Sequence, residues 1–339
     1  MKYSLKEYVQ YQYNEHLGEL YIFADESYVI STNASQYIEI LKDLKQNGLD
    51  VNSDKWLHHD FFKFLKEENL LSIKYDRNST KLGIMNRTLR YFELFTSDPV
   101  KTMEVLKNKH VLVLGIGGTG SIILQHLISS GLGKVSVVDY STVDFPDLNR
   151  QFIFNQSSVG KLKTDEFCCY VKRISPSIIV HSYNIKITNL ESLIPLNNQG
   201  YDLVINACDT PWNLHDILNN FILINRYPFY DSGVGLTNGE FGPLIIPGKT
   251  LCIKCFNDAL YQNLPKEHQK IRKMKLHPPK ASIGPTNSII SSFAALEILN
   301  YLCHFNEKTI AIQHYLDFSN YSFSSFETSK VCDCWSRYD

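Results

Sequence analysis

The sequence predicts an α/β protein, with a Rossmann-like, largely parallel sheet flanked by helices and a small N-terminal α+β module of winged-helix-like pattern. Three observations carry this. Residues 109–150 read KHVLVLGIGGTGSIILQHLISSGLGKVSVVDYSTVDFPDLNR: an apolar β-branched run ends in a glycine turn that opens a helix, and a second apolar run ends on Asp139. From Gly83 to about Asp231, strand-like and helix-like runs alternate, the pattern of crossover connections in a parallel sheet. Residues 1 to about 80 follow a different rhythm of short strands and small helices. The expected division is therefore 1–82 and 83–339, with DRNSTKLG at Asp76–Gly83 as a polar linker.

Within the first module, GELYIFADESYVIST predicts a short antiparallel pair. Ser35–Gln46 places Tyr37, Ile40, Leu41 and Leu44 on one helical face, stopped by Asn47 and Gly48, and a second helical pattern covers Asp60–Asn69. Such a module is too small to hold a nucleotide and suits gripping a peptide strand by edge pairing, with a packing or dimerisation role as the alternative. In the second module, Gly115, Gly117, Gly118 and Gly120 let the backbone turn sharply and approach a ligand whose phosphates meet the free amides of the next helix. Asp139 has the spacing of a ribose-binding carboxylate, which also fits a dinucleotide dehydrogenase. DFPDLNRQ (Asp144–Gln151), VGKLKTD (Val159–Asp165) and INACDT (Ile205–Thr210) separate the readings. Hydride transfer has no use for so many cations and carboxylates, whereas a triphosphate and its metal do. Ser232–Asp339 mixes strands, a long basic segment and a helix, and ends on a cysteine pair.

Composition narrows the class. With 339 residues and 44% of them hydrophobic, the chain can bury a full core, and a net charge of −1 gives no electrostatic case for nucleic acid or membrane as a partner. The start, MKYSLKEYVQYQYNEH, has no apolar signal region. The longest apolar helix candidate, Ile289–Phe305, is interrupted by Ser291, Ser292, Glu297 and Asn300, so a cytoplasmic location is expected. Cys168, Cys169, Cys208 and Cys303 sit in apolar or helical contexts and read as buried thiols. Cys252 with Cys255 and Cys332 with Cys334 supply four thiolates, which in a reducing compartment argue for one structural Zn, with free or redox-active thiols as the alternative.

Activation of a carboxylate by ATP brings two anions together, so the site must supply cations on the phosphates and a metal on the leaving group. Either Lys161 or Lys163 is expected to reach phosphate, and Arg150 is a further candidate. Asp209 follows the apolar run Leu203–Ala207, where an open parallel sheet puts ligand residues, although an Asp there is also a common helix cap.

In this order the motifs (GxGGxG, an Asp closing the next strand, an RQ pair, VGKxK, a later strand-end Asp, paired cysteines) resemble the ubiquitin-activating-enzyme-like superfamily of adenylating enzymes, from about Arg87 to the C-terminus. FGPLIIPGKTLCIKC (Phe241–Cys255) and the N-terminal module are similar to the branch that matures microcin C-type peptides. The resemblance implies that Asp139 binds ribose, that Arg150 and Lys163 bind the triphosphate beside Asn149 and Gln151, and that Asp209 holds Mg. It also implies a homodimer in which Arg90 reaches the partner's site, and a short ribosomal peptide as substrate, its C-terminal carboxylate adenylated by ATP. CTP is not distinguished from ATP. A sulfur-carrier activator of molybdopterin or thiamine type and a peptide-delivery scaffold are the alternatives. Asp147 stands where the superfamily usually has Asn, the second cysteine pair has one intervening residue, and thioester transfer is not expected. Asn257–Ser282, with Lys266, Lys270, Arg272, Lys273 and Lys275, is expected as a basic loop over the active site.

Overall fold

The computed structural model describes residues 2–50, 59–263, 266, 281–306 and 309–338. The chain divides into two compact units, Met1–Val105 and Leu106–Asp339.

In the first unit, β1 (Lys2–Leu5) lies between β5 (Leu49–Asp50) and β6 (Leu71–Ile73) in one antiparallel sheet, and β2 (Gln10–Asn14), β3 (Glu19–Phe23) and β4 (Ser27–Ile30) form another. The expected antiparallel pair is β3–β4; β2, whose QYQYN sequence is largely polar, adds a third strand. Helices α1 (Ala34–Gln46) and α2 (Asp60–Glu67) close the core with Ile40, Leu41, Leu44, Phe61, Phe62 and Leu65, and Tyr37 stacks on Phe61 at 4.2 Å. The polar stretch expected as a linker is tied down instead. The Arg77 guanidinium donates to the buried Glu93 carboxylate at 2.8 Å, to Leu5 O and to Ser72 Oγ. Helix α3 (Asn86–Phe92) therefore belongs to the first unit, and α4 (Pro99–Asn108) carries the chain across the division.

The second unit is built on an eight-stranded sheet in the order β14-β13-β12-β11-β10-β7-β8-β9. Its strands are β7 (His110–Leu114), β8 (Lys134–Val138), β9 (Ile179–Tyr183), β10 (Leu203–Asn206), β11 (Phe229–Val234), β12 (Asn238–Ile245), β13 (Ile312–Asp317) and β14 (Ser322–Glu327). From β9 to β11 the pairing is parallel, and from β11 to β14 antiparallel. Central strands β7 and β10 are wholly buried, which is why they read as nearly continuous apolar runs, with only His110 and Asn206 polar. Helices α5 (Gly118–Ser130), α6 (Lys163–Ile174), α7 (Leu214–Asn225), α8 (Ile253–Gln262) and α9 (Gly284–Leu302) accompany the sheet. Helix α9 begins before the expected apolar stretch because Pro285 suits a helix's first turn. The chain builds outward from β7 to β8 and β9, then returns to β10 on the other side of β7. The order thus reverses between β7 and β10, and a crevice opens at the carboxyl ends of these strands.

No helix among the described residues is long and apolar enough to cross a membrane. Of the expected basic loop, Asn257–Gln262 is the end of α8, while Lys270, Arg272, Lys273 and Lys275 lie outside the described residues. Cys169, expected to be buried, is exposed, because α6 turns Phe167 and Val171 inward and Cys169 to the opposite face. Cys303 is buried, whereas Cys168 and Cys208 are half-buried.

Candidate functional site

The glycine turn, the Asp139 segment and the INACDT segment follow β7, β8 and β10 and meet at the crevice. After β7 the chain turns at Gly115, whose φ of +94° favours glycine and whose added Cβ would lie 2.7 Å from Cys208 Sγ and 2.8 Å from Ala207 O. Gly117 precedes α5 and faces open space. Gly120 is required by packing, since a Cβ there would lie 2.0 Å from Gly115 O. A Cβ on Gly118 would meet Asn287 Oδ1 of α9 at 2.3 Å and Arg150 Cδ at 3.4 Å, so the helix start sits against both.

Asp139, just past β8, holds this turn. Its Oδ2 accepts from Ile116 N at 2.8 Å, and Oδ1 accepts from Ser141 N and Oγ at 2.8 and 2.6 Å. At the end of β10, Asn206 Oδ1 accepts from Cys208 N while Asn206 Nδ2 donates to Cys208 O and to Asp231 Oδ1. Asp231 is itself 2.7 Å from His215 Nε2. Burial pushes the Asp231 carboxyl up, but His215 and the Asn206 amide outweigh it and hold it below the ordinary carboxylate range. This network pins the turn that presents Asp209, which is exposed. Asp209 is not a helix cap, because α7 starts only at Leu214, behind Asn213. Gly115, Gly117, Asp139, Lys186, Cys208 and Asp209 line a cavity of about 310 Å³. Burial, with Asp139 and Asp209 nearby, pushes the Cys208 thiol up, while Lys163 pulls it down.

The two lysines of VGKxK diverge. Lys161 lies in the loop, 56% exposed, with Nζ 3.3 Å from Glu166 Oε1; Lys163 opens α6, is 9% exposed, and reaches Asp147 Oδ2 at 3.1 Å. Arg150 Nη2 donates to Asp147 Oδ1 at 3.0 Å, and Arg150 Nη1 donates to Pro146 O and Asn149 Oδ1. Asp147 therefore sits between the two cations. Asn149 Nδ2 donates to Ser282 O. Gln151 is buried, and its Oε1 finds no partner among the described residues. Arg90 belongs to the first unit. It lines a hollow of about 550 Å³ with Lys74, Arg77 and Glu7, pairs with the Glu7 carboxylate, and donates to Asn86 Oδ1 at 3.0 Å.

The four sulfurs of Cys252, Cys255, Cys332 and Cys334 all lie within 4.8 Å of one another, and no disulfide joins them. Cys255 Sγ and Cys334 Sγ are 3.7 Å apart. Tetrahedral Zn with bonds of about 2.3 Å needs sulfurs about 3.8 Å apart, so the cluster is compatible with zinc despite the short CxC spacing. Burial pushes the Cys252 and Cys255 thiols up, Cys255 to about 11, whereas at Cys332 burial is outweighed by hydrogen bonds from Cys252 and Cys334, which hold the thiol below its ordinary value.

The sequence did not mark Asn287 or Ser291, whose Oγ donates to Thr119 O at 3.1 Å; both reach α5 from α9. Nor did it mark the Asn206–Asp231–His215 network. Asn206 lies in the INACDT segment, but its link to Asp231 and His215, like the contacts of Asn287 and Ser291 with α5, joins residues distant in sequence and leaves no local motif.

Among solved structures the fold is similar to that of E. coli MccB. The structure titled MccB + ATP has a TM-score of 0.78 at 20% identity, covering 98% of this chain and 99% of that one. MccB in complex with N-formylated MccA has a TM-score of 0.77 at 21% identity, with 98% and 99% coverage. The adenylyltransferase and sulfurtransferase UBA4 of Scheffersomyces stipitis is 28% identical over 233 residues, covering 68% of this chain and 50% of that protein. Ubiquitin-like modifier-activating enzyme 5 of Bombyx mori is 26% identical over 249 residues, covering 69% and 61%. The chain thus spans about half to three-fifths of the length of these curated relatives. The ThiF family model matches residues 86–336, from α3 through the four cysteines, and with that match the glycine turn, the strand-end carboxylates and the cysteine cluster find a common origin: the chain belongs to the ThiF family.

Proposed function

We propose that this ThiF-family adenylyltransferase fold activates the C-terminal carboxylate of a short ribosomal peptide with ATP. The observation that carries the reading is the likeness to MccB over 98% of the chain, which includes the N-terminal unit as well as the ThiF core. In this reading the first unit grips the peptide. The nucleotide lies along the crevice, with ribose at Asp139, phosphates on the amides that follow Gly117, and the triphosphate between Arg150 and Lys163 beside Asn149 and Gln151. A peptide carboxylate oxygen bonds to the α-phosphorus, the bond to the β-phosphate oxygen breaks, and pyrophosphate leaves. Asp209 is the hard oxygen donor that would hold Mg, which neutralises charge on the leaving phosphates. Cys252, Cys255, Cys332 and Cys334 would hold Zn, which anchors the C-terminal segment to α8. The functional unit is a homodimer, with Arg90 serving the partner's phosphates. In the full microcin C-type sequence a terminal Asn closes to a succinimide as AMP leaves the acyl-adenylate, and the succinimide nitrogen then attacks the α-phosphorus of a second ATP, forming an N–P bond as pyrophosphate leaves.

A second reading is supported by the curated relatives, which include an adenylyltransferase and sulfurtransferase and a ubiquitin-like modifier-activating enzyme. There the substrate is the C-terminal tail of a small carrier protein. One experiment separates the two: incubation of the chain with ATP or CTP, Mg and either short Asn-ended peptides or Gly-Gly-ended carriers, read by mass spectrometry and pyrophosphate release. Peptide-bound nucleotide supports the first reading. Nucleotide on the carrier alone overturns it.

A further inference from the structure

The pairing of Asp147 with both triphosphate cations carries a consequence for how nucleotide enters and pyrophosphate leaves, given the nucleotide reading above. Asp147 is buried, 8% exposed, in the short helical turn Phe145–Asn149. Its Oδ2 accepts from Asp144 N at 3.2 Å, so the backbone fixes the carboxylate in place. From there Oδ1 meets Arg150 Nη2 at 3.0 Å and Oδ2 meets Lys163 Nζ at 3.1 Å. Two anionic oxygens thus occupy the cations at the distances phosphate oxygens would take.

We propose that Asp147 is a built-in competitor for phosphate: it weakens binding of the triphosphate and re-engages Arg150 and Lys163 as pyrophosphate departs. The negative charge is what matters. A neutral Asn would still accept from Asp144 N and orient one cation, so the turn's structural needs do not call for a carboxylate. A buried anion beside bound phosphates repels them, raising the free energy of the nucleotide and pyrophosphate complexes alike. It also leaves the cations paired in the free enzyme, which spares the chain an uncompensated charge at the buried Lys163.

The test is isothermal titration of the full chain, wild type against Asp147→Asn and Asp147→Ser, with Mg·ATP, inorganic pyrophosphate and adenosine in turn. Loss of one unit charge from a half-screened site predicts ATP and pyrophosphate binding tighter by about tenfold. Adenosine, which lacks phosphates, should bind unchanged. In turnover, the variants should show a lower KM for ATP, stronger inhibition by pyrophosphate and a lower kcat as product release slows. Unchanged or weaker pyrophosphate binding by a variant that melts at the wild-type temperature overturns the proposal, as does failure of both variants to fold, which would make the carboxylate a structural clamp. If the wild type binds neither ATP nor pyrophosphate, the nucleotide reading itself fails, so the two failures are distinct.

Discussion

Replacement of Lys163 is expected to abolish most activity, whereas replacement of Lys161, two residues away, is not. The contrast comes from their surroundings. Lys163 is 9% exposed, beside Asp147 at the crevice, so little water screens it from a bound phosphate. A charge pair at about 4 Å is worth about 4 kcal/mol at an effective dielectric of about 20, and loss of one preorganised contact to developing charge costs about 10²–10³ in rate. Lys163→Ala should therefore lower kcat/KM for ATP by roughly a hundred- to thousandfold. Lys161 is 56% exposed and its pair with Glu166 is a surface one, of a kind worth about 0–1 kcal/mol. Lys161→Ala should stay within about threefold of wild type. ATP–pyrophosphate exchange with the peptide substrate gives the rates, and circular dichroism melts show that both variants fold. Greater damage from Lys161→Ala in the folded protein would mean that phosphate is bound on the loop and not at the start of α6.

Three further outcomes are expected. Arg90→Ala and Asp209→Ala homodimers should each lose about a thousandfold in rate, yet after subunit exchange about half the dimers carry one intact site of two, so activity should return to about a quarter of wild type; no recovery after demonstrated exchange would confine Arg90 to its own chain. Protein purified without added zinc should contain about one equivalent per chain, and Cys252→Ser or acidification, which protonates the thiolates, should release it and destabilise the C-terminal region without changing ATP binding; absence of zinc would leave the cluster as free thiols. Burial and Lys134 hold His110 at a pKa of about 4 against an ordinary 6.5, so the unfolded chain takes up the proton first: stability is full above pH 6.5 and falls by on the order of 3 kcal/mol as pH drops towards 4. His110→Phe should flatten that acid slope in denaturant melts, and an unchanged slope would place its origin elsewhere.

The crevice was legible in the chain because its signals are local. A turn that needs positive φ at Gly115 and close packing at Gly120 leaves glycines at fixed offsets, and the ends of buried strands β8 and β10 leave Asp139 and Asp209 after largely apolar runs. The two cysteine pairs were legible for the same reason, since each is a short-range pattern. Which of Lys161 and Lys163 is buried depends on where α6 begins, and spacing leaves that open; the helix begins at Lys163 and turns it onto Asp147, while Lys161 stays on the exposed loop. Asp147 read as a departure from a motif, and folding made it the shared partner of Arg150 and Lys163. Asn287 and Ser291 reach α5 only because α9 packs along it, and Cys252 finds Cys332 across 80 residues because β12 through β14 fold back as an antiparallel edge. Hydrophobic periodicity reports which face of an element is buried but not what buries it, so contacts between remote segments follow from sheet order and helix packing.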